Sequence, residues 1–356
     1  MQQKLKKQDD DMNFELLKTL SDAHGISGFE GNIRDIVKKE LKGFVDEITE
    51  DSNGNLIAIR RGSDLKVMIA SHMDEIGFMV QHVTEKGFIK FVPIGGWYAP
   101  SVHTRRVIIH GIKGLVFGVI GSKPPHVMQP EDRKKPIELK DMFIDIGCTS
   151  ADEVEKLGIE IGAPVTIDTE LVRLAGSRVT GKALDNRAGV YILIEVLKQV
   201  ETPHTIYGVF TTQEEVGLKG ARGAAFSIDP DIAIAIDVTI PGDHPGITKE
   251  EAPVLMGDGP VIGIVNAAGR GLISDPKLIA WLRKAGDKEK IPYQLEVSDG
   301  GNTDASAINL VRAGIPSVPL SVPTRYIHSP VEVLDMKDLE STMQLIVAAL
   351  KIKPKL

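Results

Sequence analysis

Cysteine is almost missing from this chain: Cys148 is the only one in 356 residues. One thiol closes no internal disulfide and builds no thiolate-rich zinc or iron–sulfur site, so any bound metal must use imidazole and carboxylate. No run of about 18 uncharged apolar residues occurs, so no membrane-spanning helix is expected. The first residues carry Asp9, Asp10 and Asp11 in place of the apolar stretch of a secretory signal, and the expected address is the cytoplasm. Basic residues are outnumbered, 42 Lys+Arg against 49 Asp+Glu, which argues against a nucleic-acid partner, since those need a basic face. Neither H-E-x-x-H nor G-x-S-x-G is present. The near P-loop from Gly176 to Ala183 lacks the Ser or Thr that would hold magnesium. Cys148 falls in an expected β segment and reads as a packed small residue.

What is present has the balance of a globular protein, 42% hydrophobic and 26% charged. Phe14, Leu16, Leu17 and Leu20 predict a short amphipathic helix. Ser27 and Glu30 have capping-box spacing before Ile33, Ile36, Val37 and Leu41. Strands are expected at Asn55–Arg60 and Val67–Ala70. From 77 to 173 the rhythm changes to short apolar or alternating runs broken by Gly and Pro, the pattern of a small β-rich domain. After about 175 strands and helices alternate again. Strands are expected at Thr205–Thr211, Ile232–Ile236, Tyr293–Val297 and Ile315–Val322. Helices are expected at Asp185–Val200, Pro276–Ala285, Thr303–Ala313 and Leu339–Leu350. This predicts an α/β domain, residues 1–76 and 174–356, with a mixed sheet, interrupted by a β-rich insert, residues 77–173.

Chemistry-bearing side chains gather where the predicted strands end, the edge that carries ligands in open α/β sheets. His72 and Asp74 follow the strand at Val67–Ala70. Glu214 and Glu215 follow Thr205–Thr211, Asp237 ends Ile232–Ile236, and His328 lies past Ile315–Val322. Asp185 opens a helix, and alone it would read as an N-cap. As a set, two imidazoles and three acids are an inventory for two divalent ions sharing a carboxylate, and this mixture suits zinc, cobalt or manganese better than magnesium or calcium. Asp74 is close enough to receive the second ring N–H of His72. Glu214, beside a ligand, is placed to act as general base.

These segments, Ala70–Gly77, Lys182–Arg187, Thr212–Ala221, Ala235–Thr239 and Arg325–Ser329, together with Gly95-Gly96-Trp97 and Lys123–His126, resemble in order the tetrahedral (TET) aminopeptidases. That family includes glutamyl aminopeptidases and proteins once labelled endoglucanase M. The resemblance implies a three-layer, phosphorylase/hydrolase-like α/β zinc-peptidase domain carrying an inserted β-barrel-like dimerisation domain. It implies one ion on His72, Asp185 and Asp237 and another on Asp185, Glu215 and His328, zinc or cobalt, with Asp185 bridging. Glu214 is then the base and Asp74 orients His72. It further implies peptide substrates and assembly from dimers into a hollow homododecamer. A glycosidase would need only two carboxylates and leave both His unexplained. A related zinc deacylase would accept N-acetylated substrates, and an inactive scaffold would have no use for Glu214. With no clear basic cluster near the site, the expected N-terminal residue is neutral and aliphatic or broad, with glutamyl as runner-up. The family's glycine triplet before Thr-Asp reads Gly300-Gly301-Asn302 here, and the charged residues 1–11 are an extension expected to be mobile.

Overall fold

The computed structural model describes residues 14–356; residues 1–11 lie outside the described residues. Helices at residues 14–22 and Gly31–Leu41 come first. Strands β1 (Glu47–Glu50), β2 (Leu56–Arg60) and β3 (Lys66–His72) then enter the main sheet. Six strands follow as a separate closed barrel: β4 (Gly77–Val83), β5 (Ile89–Ile94), β6 (Arg106–Gly111), β7 (Gly114–Gly121), β8 (Phe143–Asp145) and β9 (Pro164–Ile167). The chain returns to the main sheet through β10 (Val172–Arg173), β11 (Arg178–Gly181), β12 (Thr205–Thr211) and β13 (Ile232–Thr239). It finishes with β14 (Val261–Asn266), β15 (Leu272–Ile273), β16 (Gln294–Val297), β17 (Ser317–Arg325) and β18 (Glu332–Asp335).

The main sheet has twelve strands in the order β1-β2-β12-β3-β13-β17-β18-β11-β10, with β14 to β16 attached beside β17. Strands β12, β3, β13 and β17 are parallel neighbours, and the outer pairings are antiparallel except for β14 with β16, which is parallel. The mixed α/β fold with a barrel is therefore as expected.

Pleating sorts the side chains by parity. Val67 and Ile69, with Ile232, Ile234 and Ile236, face the long helices Leu184–Gln199 and Met336–Leu350 in the larger core. Met68, Ala70 and Ala233 face the alanine-rich helix Lys219–Ile228 and Ile308. His72 and Asp237 continue this second parity. Ala70 pairs with Ala235 across β3 and β13, so residues two further on end side by side at the carboxyl edge. The barrel has its own core, including Phe78, Val107, Ile109, Ile144 and Val165.

Three expectations change. The helix expected at Thr303–Ala313 is only Asp304–Ile308, because Arg312 takes a left-handed backbone and Gly314 another soon after. Ser27 and Glu30 form no capping box: Glu30 is itself the N-cap, with no side-chain cap bond, and both side chains turn toward the loops of the site. Cys148 lies just past β8, outside the strand, and packs against the barrel core.

A fully buried guanidinium knits the entry segment to the edge of the sheet. Arg187 donates to the carbonyls of Met73 (2.8 Å), Leu20 (2.5 Å), Ala23 (2.9 Å) and Gly25 (3.2 Å), and lies 3.5 Å from Glu75. Lys182 Nζ donates to the same Glu75 carboxylate at 2.8 Å. Burial works to raise the Glu75 pKa, but Lys182 and Arg187 outweigh it and hold it low. Arg187→Ala removes a donor from four carbonyls, of which Ala23 keeps Lys182 Nζ and Gly25 keeps the Glu75 amide, and removes one of the two cations beside a buried acid. The expected loss is about 3–5 kcal/mol of unfolding free energy, read by denaturant titration.

Candidate active site

Five segments converge at the carboxyl edge of β3, β12 and β13. His72 is the last residue of β3. Its Nδ1 donates to the main-chain oxygen of Asp74 at 3.1 Å, and its Nε2 lies 3.3 Å from Asp185 Oδ1. The other Asp185 oxygen, Oδ2, lies 3.2 Å from His328 Nε2, which is also 3.2 Å from Glu215 Oε2. The Asp185 carboxylate thus sits between the two imidazoles. Glu214 Oε2 and Asp237 Oδ1 are each 3.9 Å from His72 Nε2. Potential ligand atoms of His72, Asp185 and Glu215 lie within 4.8 Å of one another, and so do those of His72, Glu214 and Asp237. All seven residues singled out in the sequence, Asp74 included, come together here, although these two groupings share His72 and differ from the implied ligand sets.

The backbone under these side chains is constrained. Ala183, Gln213 and His328 all have left-handed φ, at 56°, 55° and 60°, a region non-glycine residues enter at a cost. Buried carboxylates hold each of these turns. Glu332 accepts from the amides of Asp185 (2.9 Å) and His328 (3.0 Å) through its two oxygens. Glu30 accepts from Gln213 N at 3.1 Å. Asp74 accepts from Glu214 N (3.1 Å), Glu215 N (3.2 Å) and the Ser27 hydroxyl (2.6 Å). Its carboxylate is 3.6 Å from His72 Nδ1, too long for a hydrogen bond. The side chain of Asp74 therefore fixes the Glu214–Glu215 loop, and its carbonyl fixes the imidazole.

The residues missed in the sequence are the ones that hold the others. Glu332, four positions after His328, offered only the run His328–Glu332 as a signal. Asp304 accepts from the Thr211 hydroxyl at 2.5 Å. The barrel contributes too: a Cβ at Gly96 would stand 3.2 Å from His328 Nδ1, and one at Gly95 would stand 2.4 Å from the Ile76 side chain. Only glycine lets this loop lie so close. At the Gly300–Asn302 departure the left-handed position is Gly301, φ 71°, so Asn302 needs no unusual backbone.

Electrostatically the site is an excess of buried acid. Burial pushes Glu214 and Asp237 well above the ordinary carboxylate range; Asp237 and Asp304 add to the effect on Glu214, and Asp185 to that on Asp237. Burial and Asp185 do the same to Glu332. Burial disfavours charge on His328, but Asp185 and Glu215 overrule it and raise its pKa to about 11. His72 is likewise raised against its burial by Glu214, Asp185 and Asp74. Among the described residues no Lys or Arg pairs with Asp185, Glu214, Glu215 or Asp237, and their ion-pair partners are the two imidazoles. Converging imidazole and carboxylate donors with unbalanced negative charge are the chemistry of a transition-metal site, and the donor set fits divalent cations. A cavity of about 640 Å³ opens from these side chains.

Residues 54–345 match the family described as M42 glutamyl aminopeptidase. The chain belongs to the M42 family. It is accordingly a peptidase of a metal-dependent aminopeptidase family. This M42 peptidase is 37% identical over 351 residues to a lysyl aminopeptidase of Pyrococcus furiosus, covering 96% of this chain and 98% of that one. Among solved structures, an aminopeptidase from the archaeon Desulfurococcus kamchatkensis superposes with a TM-score of 0.93 at 43% identity, covering 97% of this chain and 96% of that one. The TET1 peptidase of Pyrococcus horikoshii, described as assembling into a tetrahedron or a large octahedral shell, gives 0.87 at 34% identity, covering 96% and 100%. Among the described residues no helix is long and apolar enough to cross a membrane.

Proposed function

We propose that the chain is a dinuclear metallo-aminopeptidase that removes N-terminal residues from short peptides. The observation that carries this reading is the Asp185 carboxylate, with one oxygen facing His72 and the other facing His328. His72, Asp185 and Asp237 would hold one ion, and Asp185, Glu215 and His328 the other, zinc or cobalt in both places. Bound there, the ions supply Lewis acidity that polarises the scissile carbonyl and lowers the pKa of a water.

The protein's own groups do the rest. Glu214 takes the proton of the attacking water and passes it to the departing amine. Asp74 orients His72 through its carbonyl and holds the Glu214 amide through its carboxylate. Glu332 keeps Asp185 and His328 in register from behind. Hydrolysis of alanyl and leucyl p-nitroanilides, with no hydrolysis of their N-acetylated forms, is the expected result for the metal-loaded chain. Cleavage of the acetylated forms alone would instead make it a deacylase. The names of its relatives, lysyl and glutamyl, do not agree on a side chain. Ile240, Ile247 and Ile327 on the cavity wall support acceptance of an aliphatic one.

We further propose that residues 1–76 and 174–356 form the catalytic domain and that the insert, 77–173, mediates self-association into dimers and a homododecamer. Support comes from the outer face of β7, where Leu115, Phe117 and Val119 are exposed in alternation, Phe117 by 64%. A contiguous exposed apolar stripe on a folded barrel is unfavourable unless another surface covers it. Phe117→Glu should shift the particle to a smaller species in light scattering with unchanged secondary structure. An unchanged mass would remove this face from the assembly.

A further inference from the structure

We infer that Arg325 and Asp243 are positioning residues for the hydrolysis: their ion pair straps the loop of residues 240–254 over the cavity and makes it the wall against which the substrate binds. The inference rests on the aminopeptidase reading and adds to it two residues that do not themselves line the cavity.

This loop leaves β13 just past Asp237 and supplies Ile240, Gly246, Ile247, Glu251 and Ala252 to the cavity. None of residues 242–253 is buried. A segment with no residue in a core is held by few interactions and opens at little cost. Its internal order is local. Gly242 N donates to the Val254 carbonyl at 2.9 Å and closes the loop. Thr248 N donates to the Glu251 carboxylate at 2.7 Å, and Glu251 N donates to the Thr248 hydroxyl at 3.4 Å. These bonds shape the loop without tying it to the sheet. The chain is pinned beyond Val254, where Gln294 accepts from Leu255 N and Asp338 from Gly257 N and Gly259 N.

The tie at the near end is Arg325. It is the last residue of β17, and its backbone pairs with Val333 of β18. Its guanidinium donates through Nε to Asp243 Oδ1 at 2.9 Å and through Nη2 to Oδ2 at 2.6 Å. Both side chains are only 15% exposed. Such a fork fixes orientation as well as distance. Burial works to raise the Asp243 pKa, but Arg325 outweighs it and keeps the carboxylate charged. The next residues along both segments also meet, with the His244 ring 5.4 Å from the Tyr326 ring. Among the described residues no other side-chain hydrogen bond runs from residues 240–252 to another segment. The pair therefore joins the segment that leaves Asp237 to the one that leads into His328. His328 is held separately by Glu332, so loss of the strap should free the wall and spare the ligand.

The test measures kcat and KM for leucyl p-nitroanilide in the full, metal-loaded chain and in Asp243→Asn, Arg325→Gln, Arg325→Lys and the Asp243→Asn/Arg325→Gln double variant. KM does not depend on how much of the protein is folded. It should rise about tenfold in either single charge-removing variant and no further in the double one, with kcat within about threefold of wild type and metal content unchanged. Arg325→Lys keeps the charge without the fork, and its KM should fall between. Independent, additive effects of the two substitutions, or a fall in kcat with KM unchanged, overturn the inference. Hydrogen exchange gives a readout without turnover. The Gly242 amide should exchange about tenfold faster in Asp243→Asn and Arg325→Gln, with the helix Leu184–Gln199 unchanged. Unchanged exchange at Gly242, or faster exchange with an unchanged KM, overturns it as well. Faster exchange together with weaker calorimetric binding of free L-leucine, in a chain that cleaves no aminoacyl substrate, would keep the strap and overturn the aminopeptidase reading.

Discussion

Glu214→Gln is expected to lower kcat for aminoacyl p-nitroanilides by about 10²–10⁴-fold, the range for loss of a positioned general base. The substitution keeps the volume and removes the proton acceptor. Nothing else should move, because the Glu214 amide is held by Asp74 Oδ1 at 3.1 Å whatever the side chain does. Burial, aided by Asp237, Asp304 and Glu215 and opposed by His72, raises the Glu214 pKa well above the usual value in the metal-free chain. A carboxyl so placed can hold the proton it has taken until the amine leaves. KM should change little, and metal content should stay at the wild-type level. The second condition is the informative one, since Glu214 lies as near to His72 Nε2, 3.9 Å, as Asp237 does. A variant that loses an ion would make Glu214 a ligand. A kcat within tenfold of wild type would remove it from the mechanism.

Asp185→Ala should have the other large effect, with turnover below detection and both ions lost. No other acid of the site contacts both imidazoles through different oxygens, at 3.3 Å to His72 and 3.2 Å to His328. Removing it opens both proposed ligand sets at once, whereas Asp237→Ala opens only one. Elemental analysis of the purified variants checks this directly. Asp185→Ala retaining one full equivalent of metal, or equal losses in the two variants, would mean that Asp185 does not bridge.

The convergence of the candidate residues was legible in the sequence because strand parity is local information. His72 ends a strand of buried residues, Asp237 continues Ala233 and Ala235, and β12 occupies the expected Thr205–Thr211. What local pattern cannot show is a carboxylate whose partners are backbone amides far along the chain. Ser27 and Glu30 matched a capping box in spacing, yet they bond to Asp74 and to the Gln213 amide, 47 and 183 positions away. Glu332 looked like one acid among many until its oxygens met Asp185 N and His328 N. Gly95 and Gly96 belong to the insert and reach the site only through the way the barrel packs against Ile76 and His328.

Under the dinuclear proposal, peptide hydrolysis depends on two ions held by His72, Asp185, Glu215, Asp237 and His328. The most direct test of this dependence is a back-titration of chelator-stripped protein with zinc or cobalt, following hydrolysis of an aminoacyl p-nitroanilide against equivalents added. The expected result is no hydrolysis in the stripped protein and full activity at two equivalents per chain. Hydrolysis that survives exhaustive stripping, or activity complete at one equivalent with no second ion bound, would contradict it.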